Sequence, residues 1–485
     1  MPRRLDALDA AFLDEETSTT PRQVMTLAVI EPGERTFDYD TLVRVVNERI
    51  GLVPRYRQRV ATVPGHVGPP VWVDDEAFDL TYHVRRSGLP APGTSAALRE
   101  LVSRLIARRL DVSRPLWEAY VIEGLEDGRV AVLIKSHQAL VDGSVTVDLA
   151  QVLLDETPRD RDVPPDGWVP RAGPGSMSLV ARSVIDTALS PRRAASRVTA
   201  RFDRLQSAVG KVVQTLPVVG PVAAYAAGPF NRRLSQHRRY VTVSTRLDDY
   251  RLVRDAHGGT VNDVMLSTIA GGIRGWMLNQ AMPVSDSTRL RAMVPMSVAA
   301  PDGAPTSYGS TVRGHLVSLP VGETNPVVRL HQVSYALKAH RETGVAVAAN
   351  TLAELPGFAP TTFHAVGARV AETQDHHPYD LVVTNVPGPQ EQMFIAGSPI
   401  VQTYPGIPLI PGRTLSIGVT SYAGGVYYGM VADRAAVAEP DVLGQCVEDA
   451  LAELVETASP TRVRAPRGGA PGRRDRAASP GEGSA

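Results

Sequence analysis

The sequence predicts a two-domain α/β protein: two halves, each a mixed sheet with flanking helices, joined by a crossover segment, with a cleft between them. Three observations predict it. At 485 residues the chain is too long for one core, since domains run to about 150 residues. Strand-like and helix-like apolar patterns alternate through the first third. Beyond a segment rich in Pro, Gly and charge, the same alternation starts again. The divisions drawn are residues 1–165 for the first half, 166–237 for the linker and crossover, 238–460 for the second half and 461–485 for a disordered tail.

In the first half, MTLAVIEP from Met25 reads as a buried strand that ends at a turn. TLVRVVNERIG from Thr41 reads as an amphipathic helix, with Leu42, Val45, Val46 and Ile50 on one face and Gly51 just past its end. SAALRELVSRLIARRLD from Ser95 repeats the pattern through Leu98, Leu101, Leu105 and Leu110. GRVAVLIKSH is a β-branched run, so His137 and Gln138 fall at a strand's carboxyl end or in the loop after it. VTVDLAQVLLDE from Val145 supplies the next helix, and RDRDVPPDGWVPRAGPGS from Arg159 has the composition of a linker.

Ser190 and Pro191 then open a helix with apolar positions at Val198, Phe202, Leu205, Val209 and Val212. A basic stripe runs beside them at Arg193, Arg197, Arg201, Arg204 and Lys211. Two readings of this helix stay open: contact with an anionic lipid surface, or ordinary packing across the two halves. The second half then reads as the strand YVTVSTRL, the helix TVNDVMLSTIAGGIRGWM, the strand LRAMVPMSV, a long helix from Asn325 to Glu342, the strand DLVVTNVPG and the hairpin LSIGVTSYAGGVYYGMVAD. A cleft at such a junction is where ligands tend to sit.

Composition excludes several classes. Lys plus Arg and Asp plus Glu both number 51, so nothing in the charge points to nucleic acid. Cys446 stands alone, which removes a disulfide framework and a cysteine metal site, and no metal is expected. The opening MPRRLDALDAAFLDEE meets Asp6, Asp9, Asp14 and Glu15 before any apolar signal region forms. The most apolar stretch, LPVVGPVAAYAAGPF, is cut by Pro217, Pro221 and Pro229, so no spanning helix is expected. A cytoplasmic location is the default.

The chemistry centres on KSHQALVDG, residues 135–143. A histidine at the end of a buried strand is positioned by the sheet, and an imidazole can take a proton near neutral pH. Asp142 is spaced to fold back across a tight turn, and Gly143 permits backbone geometry that other residues resist. By themselves one His and one Asp in a loop fit a structural histidine as well as a catalytic one. The pair His376 and His377 in DHHPYD lacks the DG ending and precedes a strand, so it is set aside.

HQALVDG resembles the HHxxxDG motif of acyl-CoA-dependent acyltransferases with the chloramphenicol acetyltransferase-like fold, shared with peptide-synthetase condensation domains. LDALDAAFLDEETSTTPRQV, PRYRQRV, PVWVDDEAFDLTYHVRR and RPLWE resemble the bacterial wax ester synthase/diacylglycerol acyltransferase family, as do GGTVNDVMLS, RAMVPMSV, VVTNVPGP and LSIGVTSYAGGVYYGMVAD. The likeness runs over roughly residues 4 to 460. It implies two chloramphenicol acetyltransferase-like domains and a reaction in which a long-chain acyl group passes from coenzyme A to a diacylglycerol or a long-chain alcohol. Acyl-CoA would be a co-substrate, and no cofactor is implied. A cytoplasmic protein peripheral at the inner membrane or lipid inclusions would suit those substrates.

The resemblance also assigns roles. Asp142 and Gly143 fix the frame as the loop's anchor, His137 takes the first histidine position, and Gln138 stands where the family's catalytic base stands. Glutamine cannot act as a base near neutral pH, although its amide can orient a hydroxyl or hold a water. His137 is the substitute at hand, yet neighbouring side chains on a strand face opposite ways. Pro115, Leu116 and Trp117 resemble the PLW element, read either as shaping the cleft or as packing. Asn262 and Asp263 are read as cleft residues or as caps of the helix after Thr260. Thr384 and Asn385 resemble the SNVPG element with Thr for Ser, while Pro387 and Gly388 fix a turn. Gln138 supports a second reading, an impaired relative that binds acyl-CoA or lipid as a carrier or regulator.

Overall fold

The computed structural model describes residues 3–33, 36–66, 68–141, 148–159, 161–164, 166–175, 177–181, 228–297, 312–342, 360–373 and 379–459. Asp142, Gly143, the basic stripe after Pro191, the pair His376 and His377, and the tail lie outside the described residues.

The elements follow in chain order. The first half gives α1 (Ala7–Glu15), β1 (Gln23–Ile30), α2 (Tyr39–Arg49), β2 (Gln58–Ala61), β3 (Val71–Asp74), α3 (Leu80–His83), β4 (Val84–Gly88), α4 (Ser95–Ala107), β5 (Trp117–Glu123), β6 (Val130–His137) and α5 (Leu149–Leu153). The second gives β7 (Arg238–Arg246), α6 (Leu247–His257), α7 (Val261–Asn279), β8 (Leu290–Ser297), β9 (Val312–Leu319), α8 (Pro326–Glu342), α9 (Pro360–Thr373), β10 (Leu381–Pro387), β11 (Phe394–Ile395), β12 (Ser398–Gly406), β13 (Leu415–Tyr422), β14 (Gly425–Asp433) and α10 (Pro440–Ala458).

Local chemistry sets many of these boundaries. Asp38 and Thr94 cap α2 and α4 by accepting from the third residue on. At α7 the Thr260 hydroxyl accepts from the Asp263 amide while the Asp263 carboxylate accepts from the Thr260 amide, a capping box. The two residues before it, Gly258 and Gly259, sit at φ +81° and +86°, in the region that favours glycine. The helix expected from Val145 is short, Leu149–Leu153, and residues 145–147 are outside the described set.

Two six-stranded mixed sheets result, one in the order β11-β12-β1-β6-β5-β4 and the other β7-β14-β13-β10-β8-β9. Every residue of β6 is buried, which is why its apolar run does not alternate. Strand β1 pairs antiparallel with β6 on one side and with β12 on the other. A strand from the second half is thus built into the first half's sheet. It also crosses the second sheet at close range: a Cβ on Gly429 would fall 1.7 Å from the Pro405 carbonyl oxygen, to which the Tyr240 hydroxyl donates at 2.9 Å.

Helix α9 lies between the two sheets. Thr361, Arg369 and Glu372 reach the first, where the Thr361 hydroxyl meets that of Thr26 at 2.7 Å and Glu372 pairs with Arg22. His364 reaches the second, and Ala368 and Ala371 pack there with Met293, Tyr379 and Val382. Residues four apart on a helix share a face, so one helix serves both layers. The cleft expected between the halves is therefore occupied at this point by α9.

Candidate active site

The site begins where β6 ends. The His137 amide donates to the Leu116 carbonyl at 3.0 Å and the Gln138 amide to the Arg22 carbonyl at 2.9 Å. Strand β6 ends at His137, and Gln138 and Ala139 begin a turn closed by the Leu140 and Val141 amides, which donate to the His137 carbonyl at 2.9 and 3.3 Å.

His137 shares its face with Lys135 and Gln23, and it is fully buried. Its Nδ1 accepts from the Ala139 amide at 3.0 Å, which puts the neutral ring's proton on Nε2. That nitrogen lies 4.0 Å from a Glu16 carboxylate oxygen and has no hydrogen-bond partner among the described residues. Glu16 is itself held by the Arg22 amide at 3.0 Å and the Arg109 guanidinium at 3.1 Å. Burial, reinforced by the charges of Arg22, Arg369 and Arg109, lowers the imidazole to about 3. With its one lone pair engaged by a backbone amide, this histidine is built to stay neutral and hold the turn.

Gln138 is equally buried, and neither atom of its amide has a partner among the described residues. Ser136, two residues back, lies on the face of β6 opposite His137. There the Tyr56 hydroxyl lies 3.4 Å from Ser136 Oγ and donates to Asp148 Oδ1 at 2.7 Å. Asp148 stands immediately before α5, fully buried, and its Oδ2 is unpartnered among the described residues. Thr361 brings a hydroxyl from α9. Burial raises the Asp148 carboxyl above its usual range, with hydrogen bonds from Tyr56 and Thr361 partly opposing the rise. The Gln138 carbonyl accepts from Arg369 at 2.9 Å, and the same guanidinium nitrogen pairs with Asp9. Helix α9 is thereby fastened to the motif at its far end.

The other expected residues divide. Leu116 and Trp117 adjoin the motif: Leu116 through its carbonyl, Trp117 as the ladder partner of Ser136. The Trp117 indole is fully buried, stacked on His83 with centroids 4.7 Å apart, and donates to the Tyr56 carbonyl at 2.7 Å. Pro115 accepts from the Trp117 amide in the preceding turn. Thr384 faces α9, where its hydroxyl lies 2.6 Å from His364 Nδ1, and Thr420 meets Nε2 at 2.9 Å. Asn385 faces the opposite side of its sheet, donating to Asn262 Oδ1 at 2.8 Å and contacting Met265. Asn262, Asp263 and Asn385 thus belong to the α7 layer.

Sequence reading overlooked Tyr56, Asp148, Thr361, His364 and Arg369. Tyr56 and Asp148 sat in stretches already singled out, but nothing in their spacing showed that they meet. Helix α9 was not read at all, although Pro360 at its first position followed by PTTFHAVGARVAET carries a helix signal.

Comparison with known proteins gives a consistent set of likenesses. Residues 5–265 match the wax ester synthase/diacylglycerol acyltransferase catalytic domain, and residues 308–455 the WS/DGAT C-terminal domain. The chain is 32% identical over 473 residues to the probable diacylglycerol O-acyltransferase tgs1 of Mycobacterium tuberculosis, covering 96% of this chain and 98% of that one. It is 41% identical over 260 residues to tgs3 of the same species, 52% of this chain and 96% of the relative. The wax ester synthase/diacylglycerol acyltransferase of Marinobacter aquaeolei VT8 superposes with a TM-score of 0.65 at 26% identity, over 94% of this chain and 99% of that one. The first condensation domain of the calcium-dependent antibiotic synthetase shares the fold, with a TM-score of 0.54 at 13% identity and coverage of 94% and 96%.

Proposed function

Because the chain belongs to the wax ester synthase/diacylglycerol acyltransferase family, we propose that it moves a long-chain acyl group from coenzyme A to the hydroxyl of a diacylglycerol or a long-chain alcohol. The observation that carries this reading is a family likeness running through both halves at near full length, with the motif frame at the end of β6. The reaction asks for a hydroxyl oriented toward a thioester carbonyl, a group to take its proton and donors for the oxyanion. The buried cluster of Ser136, Tyr56, Asp148 and Thr361 beside the motif has the polar groups to orient a hydroxyl away from water.

Purified protein given palmitoyl-CoA with a diacylglycerol, and separately with a long-chain alcohol, should release free coenzyme A and form the corresponding ester. Gln138 favours a second reading, an acyl-CoA or lipid carrier without turnover. Tight binding of palmitoyl-CoA with no ester formed in the wild type, and ester formed only by Gln138→His, would select it.

A peripheral position at an anionic membrane or lipid inclusion rests on the basic stripe Arg193, Arg197, Arg201, Arg204 and Lys211 in the sequence. Among the described residues no helix is long and apolar enough to cross a membrane. Replacing those arginines with glutamine should weaken binding to vesicles containing phosphatidylglycerol, and unchanged binding would remove the idea.

A further inference from the structure

With glutamine at the family's base position, the proton of the acceptor hydroxyl needs another destination. His137 does not offer one. Its Nδ1 lone pair is engaged by the Ala139 amide, its proton sits on Nε2, and it faces Glu16 on the far side of the strand from Ser136.

On the Ser136 face of β6, among the described residues, one carboxylate is tied to the strand, that of Asp148. It connects to β6 through a single side chain, since the Tyr56 hydroxyl is 2.7 Å from Asp148 Oδ1 and 3.4 Å from Ser136 Oγ. Its other oxygen is fully buried without a partner among the described residues. The Leu149 and Ala150 amides at the start of α5 approach this carboxyl and help hold it down, without a full capping hydrogen bond to the helix. An unpaired carboxylate oxygen held away from water is costly for folding unless something else uses it.

We propose that Asp148 is the proton acceptor of this acyl transfer, serving from the Ser136 face of β6 in place of a histidine at position 138. The assignment deepens the acyltransferase reading and rests on it. The acceptor hydroxyl oxygen forms a bond to the thioester carbonyl carbon while its proton passes to Asp148 Oδ2, and the carbonyl π pair moves onto oxygen. When that pair returns, the carbon–sulfur bond breaks, and the departing sulfur takes the proton from Asp148. Ester and free thiol are the products, and the carboxylate is regenerated. The Gln138 amide hydrogen-bonds the acceptor hydroxyl.

Among the described residues the side chains that meet Asp148 are Tyr56 from the turn before β2 and Thr361 from α9, with Ser136 of β6 behind Tyr56. Tyr56 is the titratable one, and no cation pairs with Asp148 among the described residues. A carboxyl raised by burial must be ionised to act as a base, so the rate should climb with pH through a limb lying above the ordinary carboxylate range.

The test measures coenzyme A release against pH for the full chain and for Asp148→Asn, Tyr56→Phe and Asp148→Asn/Gln138→His. Asp148→Asn should lower kcat/KM by about 10² to 10⁴ and abolish the acid limb. Tyr56→Phe removes a hydrogen bond that holds the carboxyl down, so its limb should move to higher pH. The double variant should regain turnover with a limb nearer the histidine value of about 6.5. Turnover of Asp148→Asn at the wild-type rate and profile would overturn the assignment and leave the acyltransferase reading standing. A wild type that releases no coenzyme A with either acceptor would overturn both. If Asp148→Asn fails to fold, Tyr56→Phe decides, and an unmoved limb counts against Asp148.

Discussion

Replacing Arg369 with methionine should separate α9 from the motif it is fastened to. The guanidinium is 6% exposed and the Asp9 carboxylate it pairs with is 2% exposed. The same nitrogen donates to the Gln138 carbonyl at 2.9 Å, and the guanidinium carbon lies 5.1 Å from the centre of the Phe12 ring. Breaking a buried pair from one side destabilises by about 3–5 kcal/mol, because the remaining charge stays desolvated. Asp9 has a further contact of its own, which puts the expected loss near the lower end, about 3 kcal/mol. That is a large share of the 5–15 kcal/mol typical of a folded protein. Methionine keeps most of the side-chain volume, so the loss reports charge and hydrogen bonding rather than a cavity. Urea unfolding of the wild type, Arg369→Met, Asp9→Asn and the double variant would give the coupling directly. The double variant should lose less than the sum of the singles by about 1–3 kcal/mol. Coenzyme A release should also fall by about tenfold to a hundredfold, because the Gln138 backbone loses its anchor. An Arg369→Met protein that unfolds within about 0.5 kcal/mol of wild type, or singles that simply add, would refute this account of the clamp.

Three further outcomes follow from the geometry. His137 and His364 are both lowered to about 3, chiefly by burial, so each takes up a proton on unfolding between about pH 3 and its unfolded value of about 6.5. The stability they contribute is complete above pH 6.5 and lost as pH falls toward 3, by up to about 1.4 kcal/mol per pH unit for each ring; His364→Asn should flatten the acid side of an unfolding curve, and an unchanged slope would refute the buried neutral ring. Thr384→Val should destabilise by about 1–3 kcal/mol by leaving His364 Nδ1 unpaired, while Thr384→Ser should stay near wild type in thermal unfolding; equal losses would argue for a packing role of the methyl. Trp117→Phe should lose about 1–3 kcal/mol through the missing indole bond to the Tyr56 carbonyl and the smaller ring on His83, a loss that denaturant unfolding would detect and whose absence would favour a cleft role over packing.

Much of the architecture was legible in the sequence because local signals agreed with the final packing. The run before His137, the helix after Thr260 and the closing hairpin each fall where their apolar spacing and turn residues put them. The polar face around Gln138 was not legible, since it joins Tyr56, Asp148 and Thr361, side chains separated by up to roughly 300 positions that meet only through tertiary packing. Asn262 and Asn385 both sit in family-like stretches and touch each other, on the other side of their sheet from α9. What decided these outcomes was which face of a strand each residue occupies, and that depends on register with partners the local pattern does not name.

The pairing of β1 with β12 bears on how the protein is made. In synthesis on the ribosome, β1 emerges roughly 370 residues before the strand that covers its outer edge. At about 5–20 residues per second, that edge waits roughly 20 to 75 seconds. It carries Val24, Leu27 and Val29, and an apolar edge left open is a template for wrong pairing. The nascent first half can assemble β1, β6, β5 and β4, but its sheet closes only after translation has passed Gly406.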